Sequence, residues 1–269
     1  MKKIILSLAA LAMAFILPSC IEYETKITLN KDGSGTITEE MLIGADAIAM
    51  MQQQGQNPFA DQRDEAKLKA KASQYGQDVT FVKVEDITRK NGSKGVRATY
   101  AFTDINKVSL GLNQQIADLS SKKPGAQAEQ AKDIAEDAKA TFSYTNEKLT
   151  IKIPQPEAGK EDGAAGDGEA KKANSPDPQM AMMAEFLRGM KMSVLVTFAS
   201  GIAETDASHH ADDTITLFEL DFDEVMKNPD GLDALSALDP KKPEKIGEAI
   251  TKIKGAKVET KKEINATAK

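Results

Sequence analysis

The chain has 269 residues, 28% of them charged and 41% hydrophobic, with a formal net charge of −6 and a single cysteine. Its acidic balance argues against nucleic-acid binding and against a polybasic hold on anionic lipid, and a 5% aromatic content without tryptophan leaves little for stacking bases or sugars. One cysteine excludes an internal disulfide and a cysteine-built metal site.

The chain opens Met1-Lys2-Lys3-Ile4-Ile5, runs uncharged through Phe15-Ile16, and closes Leu17-Pro18-Ser19-Cys20. The stretch Ile4–Leu17 is short for a bilayer span but suits the apolar region of a signal peptide behind a basic start. An uncleaved anchor helix with an incidental cysteine is the plainer alternative. The segment resembles the signal peptide and lipobox of bacterial lipoproteins, with Pro18 departing from the small residues common there. That resemblance implies removal of residues 1–19, a diacylglyceryl group on the Cys20 thiol, and fatty acylation (palmitate or similar) of the new amino terminus. Each buried methylene contributes about 0.8 kcal/mol, so two or three chains make attachment effectively permanent. Residue 21 is isoleucine, not the acidic residue of the best-known inner-membrane retention signal, which favours the periplasmic face of the outer membrane in a diderm host.

Past Cys20, Ile21, Tyr23, Thr25, Ile27 and Leu29 alternate with polar residues, a period of two that predicts a strand. Asn30–Gly35 supplies a turn and Ile37, Met41 and Ile43 the return strand. Strand pattern thus begins with no flexible tether after the cysteine, which places this sheet edge close to the headgroups. A short helix is expected over Ala45–Gln54, a break over Gln52–Pro58, and a charged helix over Asp61–Tyr75. Val79–Ile87, Asn91-Gly92 and Val96–Phe102 form a second hairpin, and residues 141–153 a third around Asn146-Glu147. Lys122–Lys139 is helix-prone without an apolar face. Gln155–Pro178, rich in Pro, Gly, Ala and charge, reads as a disordered insertion. Met180, Met183, Ala184 and Leu187 sit at helical spacing, and Ser193–Phe198 is the most β-prone run. Gly201–Asp221 reads as strand, polar turn and strand. Helical candidates Asp223–Asn228, Gly231–Leu238 and Pro243–Lys254 precede a tail, 255–269, expected to be loose. The segments after Tyr100 and Phe218 share a plan of strand, aspartate and short helix. Two βββα-like halves would explain this, and so would coincidence, since an aspartate capping a helix is a common local solution.

Candidate chemistry is sparse. His209 and His210, flanked by Asp206, Asp212 and Asp213, offer two nitrogens for zinc, copper or nickel; neighbours on a strand point apart, so one ion requires an irregular turn, and a polar loop is the plainer reading. Methionines at 180, 182, 183, 190 and 192 suit core packing first, an apolar ligand surface second and Cu(I) third. Asn30–Gly35 has calcium-loop flavour, but the position needing a bidentate carboxylate is Met41, so it is a turn. The pairs Glu39-Glu40 and Asp212-Asp213 are expected to splay on strands and be solvated. No catalytic motif for nucleophile, phosphate or zinc chemistry is present.

The passage Cys20–Gly33, an acylated cysteine running straight into an alternating strand with an Asn-x-Asp-Gly turn, is similar to the start of LppM-like bacterial lipoprotein domains. That likeness covers about two dozen residues and implies an α+β envelope module with lipid or surface roles and no catalytic residue. The reading is therefore one α+β domain over 20–254, built of antiparallel hairpins packed with a few helices and interrupted near 155–178. It is anchored through Cys20, takes no cofactor, and acts as a non-catalytic binding or scaffolding module for an envelope protein or lipid. A carrier of lipid or a small apolar ligand, using Met180, Met183 and Leu187, is the alternative; a metal-dependent enzyme using His209 and His210 is the third.

Overall fold

A computed structural model describes residues 21–112, 139–154, 189–228 and 253–269. They form an α+β fold of two sheets over a continuous apolar core. The first hairpin is present as expected: β1 (Ile21–Leu29) and β2 (Gly35–Ile43) pair antiparallel, Ile21 opposite Ile43 and Leu29 opposite Gly35. Asp32 closes the turn by accepting from the Ser34 amide at 3.0 Å and its hydroxyl at 2.6 Å. After Gly44 come α1 (Ala45–Gln53), a 3-10 turn (Asp61–Arg63) and α2 (Glu65–Tyr75). The helix predicted over Asp61–Tyr75 is broken at Asp64, whose carboxylate caps α2 through the amides of Ala66 and Lys67.

The second hairpin joins β3 (Thr80–Thr88) to β4 (Lys94–Phe102), and β4 returns against β2. A 3-10 turn capped by Asp104 leads to β5 (Ser109–Gly111). The third hairpin, β6 (Lys139–Thr145) and β7 (Lys148–Lys152), turns on Asn146 and Glu147, both at positive φ as a two-residue turn of this twist requires. Then follow β8 (Met190–Phe198), β9 (Ile202–Thr205), β10 (His210–Ala211), β11 (Thr214–Asp221) and α3 (Phe222–Met226), with Asp221 as its cap. Asp104 and Asp221 thus share the capping role read from the sequence. The strands around them differ: β4 lies between β2 and β3, whereas β11 lies between β8 and the short β10.

Three expectations change. The tail is not loose: β12 (Ala256–Val258) pairs with β11, and β13 (Glu263–Ala268) lies between β7 and β9. Ile264, Ala266 and Ala268 on its inner face are buried, so the alternation hidden in a Lys/Glu/Thr-rich segment is a core strand. Secondly, β9 and β11, the strands on either side of the polar turn in Gly201–Asp221, do not pair with each other. β9 joins the five-stranded sheet β5-β6-β7-β13-β9, while β11 joins the eight-stranded sheet β10-β11-β8-β1-β2-β4-β3, in which β12 also pairs with β11. Thirdly, β1 and β8 run parallel, Ile21 beside Met190 and Leu29 beside Phe198, so the larger sheet is mixed. A hairpin-by-hairpin reading cannot see a partner so distant in sequence.

The core face of the larger sheet carries Ile27 and Leu29 from β1, Tyr100 and Phe102 from β4, and Met192, Val194, Val196 and Phe198 from β8. Met190 and Met192 are strand residues packed in this core. At the β1–β2 turn the two sheets meet. Tyr144 of β6 donates its hydroxyl to the Lys31 carbonyl at 3.1 Å, and Lys31 pairs with Glu147 at 3.1 Å. Residues 122–138 of the helix-prone stretch, the insertion near 155–178, and the helical candidates Gly231–Leu238 and 243–252 lie outside the described residues.

Candidate functional site

Register fixes what surrounds the start of β1. Ile21 stands beside Ile43 and Met190, Ile43 beside Lys94, and Lys94 beside Thr88, so one row across the sheet marks a single end. The chain leaves that row at Ile43 and enters α1 two residues later. Ile48 of α1 and Phe59 of the following loop pack on Met41, Ile43 and Val96, a satellite core separate from the main one, with Ile21 and Met51 partly buried against it. Burying an aromatic and several aliphatic side chains here holds a mostly uncharged helix against the sheet end, each contributing about 1.5–3 kcal/mol.

Beside this satellite core opens a cleft of about 660 Å³, within the range of small-molecule sites. Ile48, Phe59 and Ile87 line it together with the amides of Gln52, Gln56 and Asn57. Arg63 sits at its wall. Its guanidinium lies 5.2 Å from the Phe59 ring centroid and donates to Asp86 from Nε at 3.0 Å and Nη2 at 2.8 Å. Phe59 orients the cation over its ring face and Asp86 fixes its azimuth, so this exposed pair is directed by packing as well as by charge.

Two carboxylates expected to be solvated are not. Glu39 and Glu40 splay to opposite faces, as strand neighbours must, yet both are enclosed. Glu40 is 5% exposed and accepts from Arg97 at 2.6 Å and Arg89 at 2.9 Å, tying β2 to β4 and to the β3–β4 turn. On the core face Glu39 accepts from the Tyr75 hydroxyl, from Tyr100 at 3.3 Å, and pairs with Lys71 at 2.7 Å. Burial first, and then the Glu39 charge, push the Tyr100 hydroxyl far above its ordinary value of 10.0, so it remains a neutral donor across the useful pH range. Asp212 and Asp213 are exposed.

His209 and His210 lie in the segment joining β9 to β11. His210 is exposed and its Nδ1 is 3.3 Å from the Ala207 carbonyl, while the His209 carbonyl accepts from the Thr216 amide at 2.9 Å. Among the described residues no three or more His, Cys, Asp or Glu side chains converge as metal ligands. Cys20, Met180, Met183 and Leu187 lie outside the described residues. Sequence reading missed the cleft: its wall joins Arg63 to Asp86 across two elements, and the signal available was a single aromatic, Phe59, placed in an otherwise polar break.

No family model matches this sequence, and no curated protein matches it. Structural similarity is weak. The chain is similar to the folded domain of the Mycobacterium tuberculosis LppM protein, at 9% identity and a TM-score of 0.29, over 78% of this chain and 86% of that one. It is also similar to an M1 zinc metallopeptidase of Deinococcus radiodurans, at 10% identity and a TM-score of 0.23, over 77% of this chain and 40% of the peptidase. Among the described residues no helix is long and apolar enough to cross a membrane.

Proposed function

We propose that this is a lipid-anchored cell-envelope protein, held by acylation of Cys20, that acts as a non-catalytic binding or scaffolding module. One juxtaposition carries the reading: Leu17-Pro18-Ser19-Cys20 is followed at once by Ile21, the first residue of a strand central to the larger sheet. A lipid placed on Cys20 is therefore coupled to the fold without slack. The cleft beside Phe59 and Arg63 is the surface on which this module receives its partner. In a diderm host the periplasmic face of the outer membrane is its place, given Ile21 after the cysteine.

Expression of the full chain with a labelled fatty acid tests the anchor. Incorporation of label and membrane partition, both abolished by Cys20→Ser, are expected; an unlabelled, unprocessed product overturns the anchor. Photo-crosslinking from Gln52 or Gln56 in native membranes then reads the occupant of the cleft. A reproducible protein adduct supports the binding module. An adduct of lipid mass that persists in the Cys20→Ser protein purified away from membranes instead supports the carrier reading, which the apolar lining of Ile48, Phe59 and Ile87 favours as the second choice.

A further inference from the structure

The end of the larger sheet where β1 begins differs from the rest of the surface. From Ala47 to Ala60 the sequence carries no Asp, Glu, Lys or Arg, in a chain that is 28% charged. This stretch contains Met50, 58% exposed on the outer side of α1 and one of two large hydrophobic residues left open to solvent among those described. The other, Val82, is 54% exposed and lies in β3 toward the opposite end, six residues before Thr88; at about 3.3 Å per residue the two ends of β3 stand well apart. The β3–β4 turn lies at the Met50 end as well. Lys90 in that turn and Lys94, the first residue of β4, are exposed and carry no ion pair among the described residues, while Arg89 is committed to Glu40. An exposed thioether and an uncharged, amide-rich loop beside two exposed ammonium groups suit an interfacial contact, each cation near an anionic surface contributing about 1 kcal/mol. The acidic balance of the whole chain does not describe this end, although Glu22, Asp46 and Lys191 also stand near it.

We propose that this end of the sheet rests on the bilayer that holds Cys20, with Met50 entering the interfacial layer and Lys90 and Lys94 meeting anionic headgroups. The occupant is the lipid surface because the chain itself dictates it. Ile21 is locked between Ile43 and Met190, and one peptide unit of about 3.8 Å separates it from Cys20. The proposal rests on the anchor reading and adds an orientation to it.

The test uses the full acylated chain in vesicles of phosphatidylethanolamine and phosphatidylglycerol. Acylation consumes the Cys20 thiol, so an environment-sensitive fluorophore on Met50→Cys, Gln53→Cys or Val82→Cys is the sole label. The expected result is blue-shifted emission quenched by nitroxide lipids at positions 50 and 53, and iodide-accessible emission at 82. Lys90→Gln with Lys94→Gln should reduce that lipid quenching severalfold in anionic vesicles and leave it unchanged in neutral ones. Equal aqueous accessibility at 50, 53 and 82, in protein whose intact mass shows the acyl chains, overturns the orientation and leaves the anchor standing. Protein without acyl mass that fails to float with vesicles overturns both. Cooperative thermal unfolding of each labelled variant guards against misfolding, and two probe positions on α1 keep the result from resting on one substitution.

Discussion

The Glu259 carboxylate accepts from both the amide and the hydroxyl of Ser208, at 2.6 and 2.9 Å, and is itself 3% exposed. It also accepts from the Lys261 amide at 3.1 Å, and its own amide donates to the Leu217 carbonyl. One buried side chain thus fastens the segment that carries His209 and His210 to the connection between β12 and β13.

Glu259→Ala should therefore be costly. It removes the charged acceptor of two amides and a hydroxyl in part-buried bonds, and a hydrogen bond to a charged group is worth about 1.5–3 kcal/mol. Chemical denaturation is expected to show a loss at the upper end of that range, with Glu259→Gln retaining part of the stability. Faster hydrogen exchange at Ser208 in Glu259→Ala, with little change in β1 and β2, is the local signature.

Asp206 acts in the same segment, toward β13. It accepts from the Asn265 amide at 2.8 Å and side-chain nitrogen at 3.3 Å, while Lys261 donates to its carbonyl. The Asn265 amide first, then its side chain and the Lys261 charge, hold the carboxyl below its ordinary value of 3.8. The sign follows: the contribution is complete above that ordinary value and vanishes as pH falls through the lowered folded value. Asp206→Asn should lower stability at neutral pH and flatten the acid limb below pH 3.8; an acid limb parallel to that of the native protein counts against this role.

Around Glu39 the direction reverses. The Tyr100 hydroxyl is raised, so its contribution is complete below its ordinary value of 10.0 and is lost as pH climbs through the higher folded value. Absorbance titration should show Tyr100 ionising well above its ordinary value of 10.0, together with unfolding. Tyr75→Phe removes one donor and leaves Lys71 and Tyr100 on the carboxylate, for a loss of about 1–3 kcal/mol.

Two glycines close together in the β3–β4 hairpin should behave differently. Gly92 has φ +84° and open space around an added methyl, so Gly92→Ala meets only the left-handed penalty of about 1–2 kcal/mol. At Gly95 an added Cβ would lie 1.9 Å from the Met41 carbonyl oxygen. Gly95→Ala must push β2 from β4, and a loss of about 3 kcal/mol or more is expected from thermal unfolding. Equal melting temperatures for the two variants would contradict the packing described.

What the sequence disclosed follows the range of each interaction. Alternation in β1 and β2, Asn91-Gly92 and Asn146-Glu147 are local signals, and all three hairpins form where they predict. The β13 strand alternates too, through Ile264, Ala266 and Ala268, but two of its three inward residues are alanines and its neighbours are Lys and Glu, so composition conceals the period. The parallel pairing of β1 with β8 and the capture of β9 by β13 depend on partners that no local window contains. For the site, the outward-facing Glu40 looks solvated until Arg89 and Arg97 close over it, and the Arg63–Asp86 wall exists only once the loop after α1 and the β3–β4 hairpin are packed together.

The position of β13 also governs when the molecule becomes whole. Its six residues follow both of their neighbours in the chain, yet they fill the middle of a sheet, with β7 on one side and β9 on the other. Until Glu263–Ala268 has emerged from synthesis, those two earlier strands have open edges facing each other across a gap. Native structure therefore cannot be completed progressively from the amino terminus: the third hairpin must wait, unjoined to β9, for the strand that bridges them. Any factor that delays or clips this segment keeps adhesive strand edges exposed, which makes an intact β13 a condition of solubility as well as of stability.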